Sequence, residues 1–344
     1  MGAAGSEINP DEYSFSEYNI HPLLTTIDNP INRFCDDFAS SLVDHHQKHN
    51  TFSSNTSEKE KVVGYNLLKV LGNGAEATVF EGCKYTGAKT HYAIKKYKES
   101  PAMNKIGKPK EYEISENLDH YRCIKFLEYF RNIDGCIIVV MPMGKYGSVA
   151  QKNVPTLTVS ASIVLLEQIS QAVAHMHSRN IVHRDIKPGN ILVWDDGFML
   201  CDYSVSTILQ SEDALLSGVV GTSVYMSPEI SNNMYDPKAA DVWALGVTIF
   251  KVLYGVFPYK FDNAIKENGN QGWDNTSLIA KYVNNNELEF PKIPVVPKAL
   301  KNIIKRMLDQ NPANRIKANE IANDKWLIKQ SQDWVNTMNY LYSV

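Results

Sequence analysis

The chain has 344 residues, of which 44% are hydrophobic and 21% charged, and 35 Lys+Arg against 38 Asp+Glu leave a net charge of −3. This composition is typical of globular proteins and excludes a chain that is disordered throughout. Because the basic surplus of nucleic-acid binders is missing, we expect no nucleic-acid partner. No apolar run approaches the roughly 18 residues that span a bilayer.

Residues 1–60 are rich in Ser, Thr, Asn, Asp and Glu, which predicts a flexible N-terminal extension. Apolar residues at helical spacing predict one short helix over 31–45, which could dock on the main domain or remain a solvated tail. The opening M-G-A-A-G-S fits the N-myristoylation pattern with Gly2 as acceptor, and a chance match is the alternative. One acyl chain binds membranes only weakly, so we expect at most transient membrane contact.

From Tyr65 onward the pattern changes to short, β-branched or apolar segments separated by polar turns, which predict strands over 66–71, 78–81, 90–95 and 136–141. A helix is predicted over 110–118, between the last two strands. Further helices follow from the 3–4 residue spacing of apolar residues over 163–176, 239–253, 278–284, 298–308 and 318–329. We therefore predict a main domain over 61–330, with a small lobe (61–144) and a large lobe (145–330). Residues 331–344 form a tail that could be helical.

The five cysteines are widely spaced and include no CxxC pair: Cys35, Cys83, Cys123, Cys136 and Cys201. An odd number in this arrangement predicts neither a disulfide framework nor a zinc site. We expect a reducing compartment, and therefore cytoplasmic localisation, with the nucleus or reversible membrane association as alternatives.

Two patterns in the β-rich part could bind a nucleotide. Gly72 and Gly74 lie between the first two strands, where glycine lets backbone N–H groups approach a polyphosphate, although a plain hairpin turn is the alternative. Lys95 ends the third strand and could be a solvated edge residue. It gains significance if an acid on the following helix holds it, and Glu111 lies sixteen residues later (111 − 95).

Two further patterns place polar residues between apolar flanks. The stretch 181–192 carries Asp185, Lys187 and Asn190 within six residues. There an acid can orient a hydroxyl, a lysine can neutralise phosphate and an amide can bind a metal. Asp202 follows the apolar residues 198–200, and an acid at the end of a buried strand is costly unless it is paired or metal-bound.

In this order the patterns resemble the eukaryotic protein kinase family, of serine/threonine type, over residues 65–328. The resemblance implies an α+β, bilobal protein kinase fold with a small antiparallel β-sheet lobe and a larger, mainly helical lobe. Lys187 and Thr222 are typical of the serine/threonine type. The subfamily stays open between calcium/calmodulin-kinase-like and MAP-kinase-kinase-like groups.

The resemblance implies an activity and a role for each matching residue. A protein kinase of this type transfers the γ-phosphoryl group of ATP–Mg²⁺ to Ser or Thr hydroxyls of protein substrates. Asp185 would accept the proton of the substrate hydroxyl, and Lys187 would stand beside it. Lys95 would contact the α- and β-phosphates while pairing with Glu111.

The cofactors implied are ATP and Mg²⁺. Asn190 and Asp202 would hold the metal. In the large lobe, Glu229 and Arg315 would form a buried ion pair, and Asp241 would brace the loop that carries Asp185. The implied nucleotide-binding residues are Gly72, Asn73, Gly74, Ala75, Val79, Ala93, Lys95, Met141, Met143, Asn190, Leu192 and Asp202.

The chain departs from the family's pattern at two important positions. Ser204 replaces a glycine two residues after Asp202, where we expect it to restrict movement of the aspartate. Ser115 stands four residues after Glu111 at a position that the family fills with an apolar side chain, and we expect it to loosen the helix. All charged residues of the family's site are retained, which favours an active kinase over the alternative, an ATP-binding pseudokinase scaffold.

Activation can also be considered from the sequence. In the family, an arginine at the position of Arg184 receives a phosphate from the activation loop, which implies an upstream kinase as a partner. The usual acceptor position, however, is Gly218. We therefore expect either that Ser217 is phosphorylated or that the acidic Glu212 and Asp213 partly substitute for the phosphate. The alternative is that Ser217 is an unregulated serine in a mobile loop.

Overall fold

The structure is a computed structural model that describes residues 62–85, 90–150, 156–194, 196–232, 234–260 and 276–342. Gly2, the predicted helix over 31–45 and the rest of the predicted extension 1–60 lie outside the described residues. Two parts follow one another along the chain, a β-sheet with one helix and then a larger helical part. This arrangement is the bilobal α+β fold predicted from the sequence.

The small lobe contains a five-stranded antiparallel sheet in the order β1-β2-β3-β5-β4. Its alternating buried residues, such as Tyr92, Ile94, Ile138 and Val140, form one apolar face. One row across the sheet aligns Gly72, Val79, Lys95 and Val139. The strands are β1 (Tyr65–Asn73), β2 (Ala77–Lys84), β3 (His91–Tyr97), β4 (Glu128–Arg131) and β5 (Ile137–Pro142).

Helix α1 (Lys110–Glu116) lies between β3 and β4 in the chain. It begins directly after Pro109, whose carbonyl accepts hydrogen bonds from Tyr112 and Glu113 N–H groups, both at 3.0 Å. Glu111, Ile114 and Ser115 are buried. A helix of this length is marginal by itself, so its position depends on the contacts of this buried face.

The large lobe is built on two long helices, α2 (Val159–Ser178) and α3 (Pro237–Tyr254). Thr158 Oγ1 caps α2 by accepting the Ala161 N–H, and Asp236 caps α3 by accepting two N–H groups. Helix α3 ends at Gly255, which adopts the left-handed φ of 71° that glycine tolerates. Its side chains are buried almost all round, as the apolar sequence predicted, with Trp243 at its centre.

Between these helices, short strands present the loops of the candidate site. They are β6 (Ile181–Val182), β7 (Ile191–Trp194), β8 (Gly197–Leu200) and β9 (Thr207–Ile208), which pair as β6–β9 and β7–β8. The remaining described helices are α4 (Thr276–Asn285), α5 (Lys298–Met307), α6 (Ala318–Ala322) and α7 (Lys325–Tyr342). None of the helices in the described ranges is both long and apolar enough to cross a membrane.

The single helix predicted over 318–329 is wrong, because two helices occupy this region. Helix α6 ends at Ala322, and α7 begins at Lys325. Asp324 between them accepts the Leu327 N–H at 2.9 Å, and such a side-chain cap starts a new helix instead of continuing the old one. Helix α7 then continues across residue 330, where the sequence suggested the end of the main domain.

Candidate active site

Lys95 of the small lobe's sheet contacts two carboxylates, those of Glu111 and Asp202. Lys95 lies on β3 between two neighbouring strands, and Glu111 is in the first turn of α1. Lys95 Nζ lies 2.7 Å from Glu111 Oε2 and 3.2 Å from Asp202 Oδ1. Residues from three distant parts of the chain thus form one ion-paired group, in which a buried lysine is neutralised by two carboxylates.

The electrostatics of this group follow from burial opposed by pairing. Burial by itself would lower the pKa of Lys95, but the charges of Glu111 and Asp202 outweigh it and raise the pKa above its usual range. Burial likewise would raise the pKa of Asp202, and the Lys95 charge outweighs it so that the pKa is lowered. Lysine and aspartate are therefore both charged at neutral pH. Glu111 Oε1 is buried and has no hydrogen-bond partner among the described residues.

Asp185 lies in the loop of residues 183–190, where three side chains hold its carboxylate. Oδ2 accepts from Lys187 Nζ at 2.7 Å and from Asn190 Nδ2 at 3.0 Å, and Oδ1 accepts from Thr222 Oγ1 at 2.8 Å. Lys187 Nζ also donates to Thr222 Oγ1 at 2.7 Å. The carboxylate is therefore fixed in orientation, and an ammonium group stands beside it.

Asp241, on α3, holds the backbone of this loop by hydrogen bonds. It is buried, and its carboxylate accepts the backbone N–H groups of His183 and Arg184, both at 2.8 Å, and contacts His177 Nε2 at 2.9 Å. Burial would raise the pKa of Asp241, but the hydrogen bond and charge of His177 outweigh it and lower the pKa. The bond to Arg184 holds that residue at a φ of 69°, a left-handed value that is uncommon outside glycine. The loop is thus held in a strained shape by a buried carboxylate.

The residues available for a magnesium ion are oxygen donors, as that metal prefers. Asn190 uses Nδ2 for Asp185, which leaves its Oδ1, and Asp202 uses Oδ1 for Lys95, which leaves its Oδ2. No cluster of three or more His, Cys, Asp or Glu that could hold a metal occurs in the part of the chain described here. Magnesium is usually held by one or two carboxylates together with substrate phosphates and water, so these two side chains fit ATP–Mg²⁺.

Apart from Lys95, Asn190 and Asp202, the implied nucleotide-binding residues lie in two groups. Gly72, Asn73, Gly74 and Ala75 are exposed at the end of the β1–β2 hairpin, and a Cβ at Gly72 would meet no atom within 4 Å. Among the described residues nothing requires a glycine at position 72, so the advantage of glycine there depends on what approaches the loop. The second group is apolar and packs against the core; its buried members are Ala93 and Met141, which face each other across β3 and β5, and its half-buried members are Val79, Met143 and Leu192.

The structure bears on both departures, and the expectation that Ser204 restricts movement of Asp202 stays a prediction. Ser115 is fully buried, and its Oγ accepts the Phe126 N–H at 2.6 Å, a bond that ties α1 to that residue and speaks against a loosened helix. A hydrogen bond replaces the apolar contact of the family. Ser204 is not among the described residues with left-handed φ, whereas Asp202 is, at 65°. A serine therefore causes no backbone strain at position 204 in this conformation.

Sequence reasoning missed the role of Thr222 in the site. Its hydroxyl joins Asp185 to Lys187, whereas the sequence used this threonine only as a mark of the serine/threonine type. Gly221 before it has a φ of 102°, and a Cβ there would lie 2.3 Å from Arg184 O. The Gly-Thr pair was the available signal, because a glycine that permits close approach often precedes a residue that must reach into a site.

Comparison with known proteins agrees with this geometry. The protein kinase domain model matches residues 65–327. Curated relatives include a calcium/calmodulin-dependent protein kinase kinase of Caenorhabditis elegans, 29% identical over 67% of this chain and 43% of the relative. NUAK family SNF1-like kinase 1 of Mus musculus is 29% identical over 82% of this chain and 40% of the relative. CBL-interacting serine/threonine-protein kinase 15 of Arabidopsis thaliana is 35% identical over 49% of this chain and 38% of the relative.

The chain spans about two fifths of the length of these relatives. The family match, in contrast, covers most of this chain and includes both lobes and every side chain of the site. The chain belongs to the eukaryotic protein kinase family.

Proposed function

We propose that this chain is an active protein kinase that transfers the γ-phosphoryl group of ATP–Mg²⁺ to Ser or Thr hydroxyls of protein substrates. One observation carries the proposal: Asp185 is oriented by Thr222, Lys187 and Asn190, and the Asn190 carbonyl accepts the N–H of Cys201, the residue before Asp202, which is ion-paired with Lys95. Phosphoryl transfer depends on positioning and electrostatic stabilisation, and these six side chains supply both.

The roles follow from the atoms each residue has available. The oxygen of the substrate hydroxyl bonds to the γ-phosphorus while the bond from that phosphorus to the β-phosphate oxygen breaks. The Asp185 carboxylate accepts the proton that the hydroxyl loses. Lys187 neutralises charge on the group in transit, and Lys95 binds the phosphates that remain in ADP. Asn190 and Asp202 would hold Mg²⁺ through their free side-chain oxygens, and the ion would offset the negative charge of the phosphates.

Identification of the acceptor residue tests the serine/threonine assignment. The chain is incubated with ATP, Mg²⁺ and a generic protein substrate, and mass spectrometry locates the phosphate; the Asp185→Asn variant is the matched control. We expect phosphoserine and phosphothreonine with the wild type only. Phosphate found on tyrosine alone would refute the assignment.

A second candidate is an ATP-binding scaffold without turnover. The observation that favours it is the exposed Ser204 two residues after Asp202, which departs from the family's glycine. Nucleotide that raises the melting temperature of the wild type, with no transfer above the level of Asp185→Asn, would favour the scaffold.

We also propose that an upstream kinase phosphorylates Ser217. Arg184 donates from Nη1 to Val205 O at 3.4 Å, and its Nε is buried with no partner in the described ranges. Within those ranges Arg184 forms no ion pair with Glu212 or Asp213, so the acidic substitute has no support from contacts. Phosphosite mapping of active protein checks this proposal, and active protein without phosphate at Ser217 would refute it.

A further inference from the structure

One buried segment connects the two halves of the candidate active site. It comprises residues 122–126, between α1 and β4, and we call it the connecting segment. Arg122, Cys123, Ile124 and Phe126 are each no more than 5% exposed. Buried backbone N–H and C=O groups need hydrogen-bond partners. The partners of the connecting segment therefore show which parts of the site it holds in place.

The backbone of the connecting segment is bonded to strand β8. Ile124 N donates to Leu200 O at 2.9 Å, and Leu200 N donates to Arg122 O at 2.8 Å. Asp202 follows β8 after one intervening residue, so the segment lies next to the strand that delivers this carboxylate. Any shift of the segment is therefore transmitted to the end of β8.

Ser115 bonds the same segment to helix α1. Its Oγ accepts the Phe126 N–H at 2.6 Å, and both residues are buried. Ser115 is four residues after Glu111, so the two side chains lie on one face of the helix. Tyr112 of α1 also packs against Phe126, with ring centroids 6.4 Å apart, and such apolar contact gives attraction but little directional control.

Tyr203 bonds the segment on the side of Asp202. Its hydroxyl lies 3.0 Å from Ile124 O and 3.2 Å from Leu200 O, so one O–H group donates to a site that contains both the segment and β8. The ring lies 5.5 Å from Phe126 and 5.9 Å from His183, centroid to centroid. A phenylalanine would keep these ring contacts but could not make the hydrogen bond.

We propose that the hydroxyls of Ser115 and Tyr203 form a polar clamp on the connecting segment, which positions Glu111 on one side and Asp202 on the other. Neither hydroxyl touches a reacting atom, and both act through the residues they hold. The distances from Lys95 to the carboxylates of Glu111 and Asp202 then depend on the hydrogen bonds that the two hydroxyls make. Its kinetic consequence rests on the proposed phosphoryl transfer.

Two variants remove one hydroxyl each, Ser115→Ala and Tyr203→Phe. The matched control is Ser170→Ala, because Ser170 is also fully buried in a helix, but within the described ranges its hydroxyl bonds Glu167 O of its own helix, at 2.8 Å, and no other element. Amide hydrogen exchange is measured on the three variants and on the wild type, in the absence of nucleotide. Steady-state kinetics are measured on the same preparations.

We expect the amides of α1 to exchange about tenfold faster in Ser115→Ala and Tyr203→Phe than in the wild type, and at the wild-type rate in Ser170→Ala. We expect kcat to fall about tenfold in both clamp variants while KM for the protein substrate changes less than about twofold, because positioning is lost and substrate contacts are not. Tyr203→Phe keeps the ring, so it tests the clamp even where Ser115→Ala does not fold.

Unchanged exchange of α1 in both clamp variants would overturn the proposal. Equal acceleration in Ser170→Ala would also overturn it, because the effect would then be general destabilisation. The exchange measurement needs no catalysis, so a wild type without transfer would count against the proposed function while the exchange rates still decide whether the clamp exists.

Discussion

Removing the charge of Glu229 should destabilise the large lobe strongly. The Arg315 side chain is completely buried and its donors are all used: Nη1 and Nη2 bond Glu229 at 2.5 and 3.0 Å, Nη1 also bonds Ala239 O, and Nε and Nη2 bond Asp309 O. The guanidinium lies 5.0 Å from the Trp243 ring. Glu229→Gln keeps the size of the side chain but leaves a buried positive charge without its counter-charge.

Breaking a buried ion pair by changing one partner costs about 3–5 kcal/mol. At roughly 2–4 °C of melting temperature per kcal/mol for a domain of this size, the expected fall is about 10 °C, measured by differential scanning calorimetry. The matched control is Glu320→Gln, because Glu320 pairs with Arg306 at 3.6 Å with both side chains about half exposed. Such surface pairs contribute about 0–1 kcal/mol. A loss in Glu229→Gln no larger than that in Glu320→Gln would refute the reasoning.

Three further predictions follow. Gly221→Ala should lower both the melting temperature and the rate of phosphoryl transfer, because its Cβ would lie 2.3 Å from the Arg184 carbonyl oxygen. A Cβ at Gly218 would meet no atom within 4 Å, so Gly218→Ala should lower only the melting temperature. Equal transfer rates in the two variants would contradict this prediction. Burial lowers the pKa of His120 to about 4, so the folded protein should lose stability as the pH falls from about 6.5 towards 4. Urea unfolding measures this loss, and the free energy of unfolding of His120→Asn should fall over that pH range by on the order of 1–2 kcal/mol less than that of the wild type. Burial raises the pKa of the Cys201 thiol, so iodoacetamide near neutral pH should modify it more slowly than the half-buried Cys83, and the reverse order would show that Cys201 is accessible.

Much of the fold could be predicted because it depends on local patterns. The strand around Lys95 has short β-branched and apolar runs, and helix α3 is apolar on every face, so their types follow from periodicity. The break between α6 and α7 was missed because the apolar spacing continues through it. There the capping bond of Asp324 decides the outcome, and a cap competes with helix continuation by a margin that spacing does not register.

The sequence predicted the pairing of Lys95 with Glu111, but not the contacts that Ser115 and Thr222 make. Asp185, Asn190 and Asp202 could be selected because polar and charged side chains between buried strands require partners. The bond of Ser115 to Phe126 joins residues from different elements, and its existence depends on how closely two backbones approach. The same limit applies to Thr222, whose link to Asp185 spans 37 residues of the chain.

The rate of γ-phosphoryl transfer in the wild type and in Asp185→Asn tests the central claim most directly. Both proteins are assayed with saturating ATP and Mg²⁺, and the nucleotide-induced rise in melting temperature is measured on the same preparations to show that both bind. We predict that Asp185→Asn transfers phosphate at least about 100-fold more slowly, since a positioned base contributes that much, while the nucleotide stabilises both proteins alike. A wild-type rate no higher than that of Asp185→Asn, with nucleotide bound to both, would contradict the account.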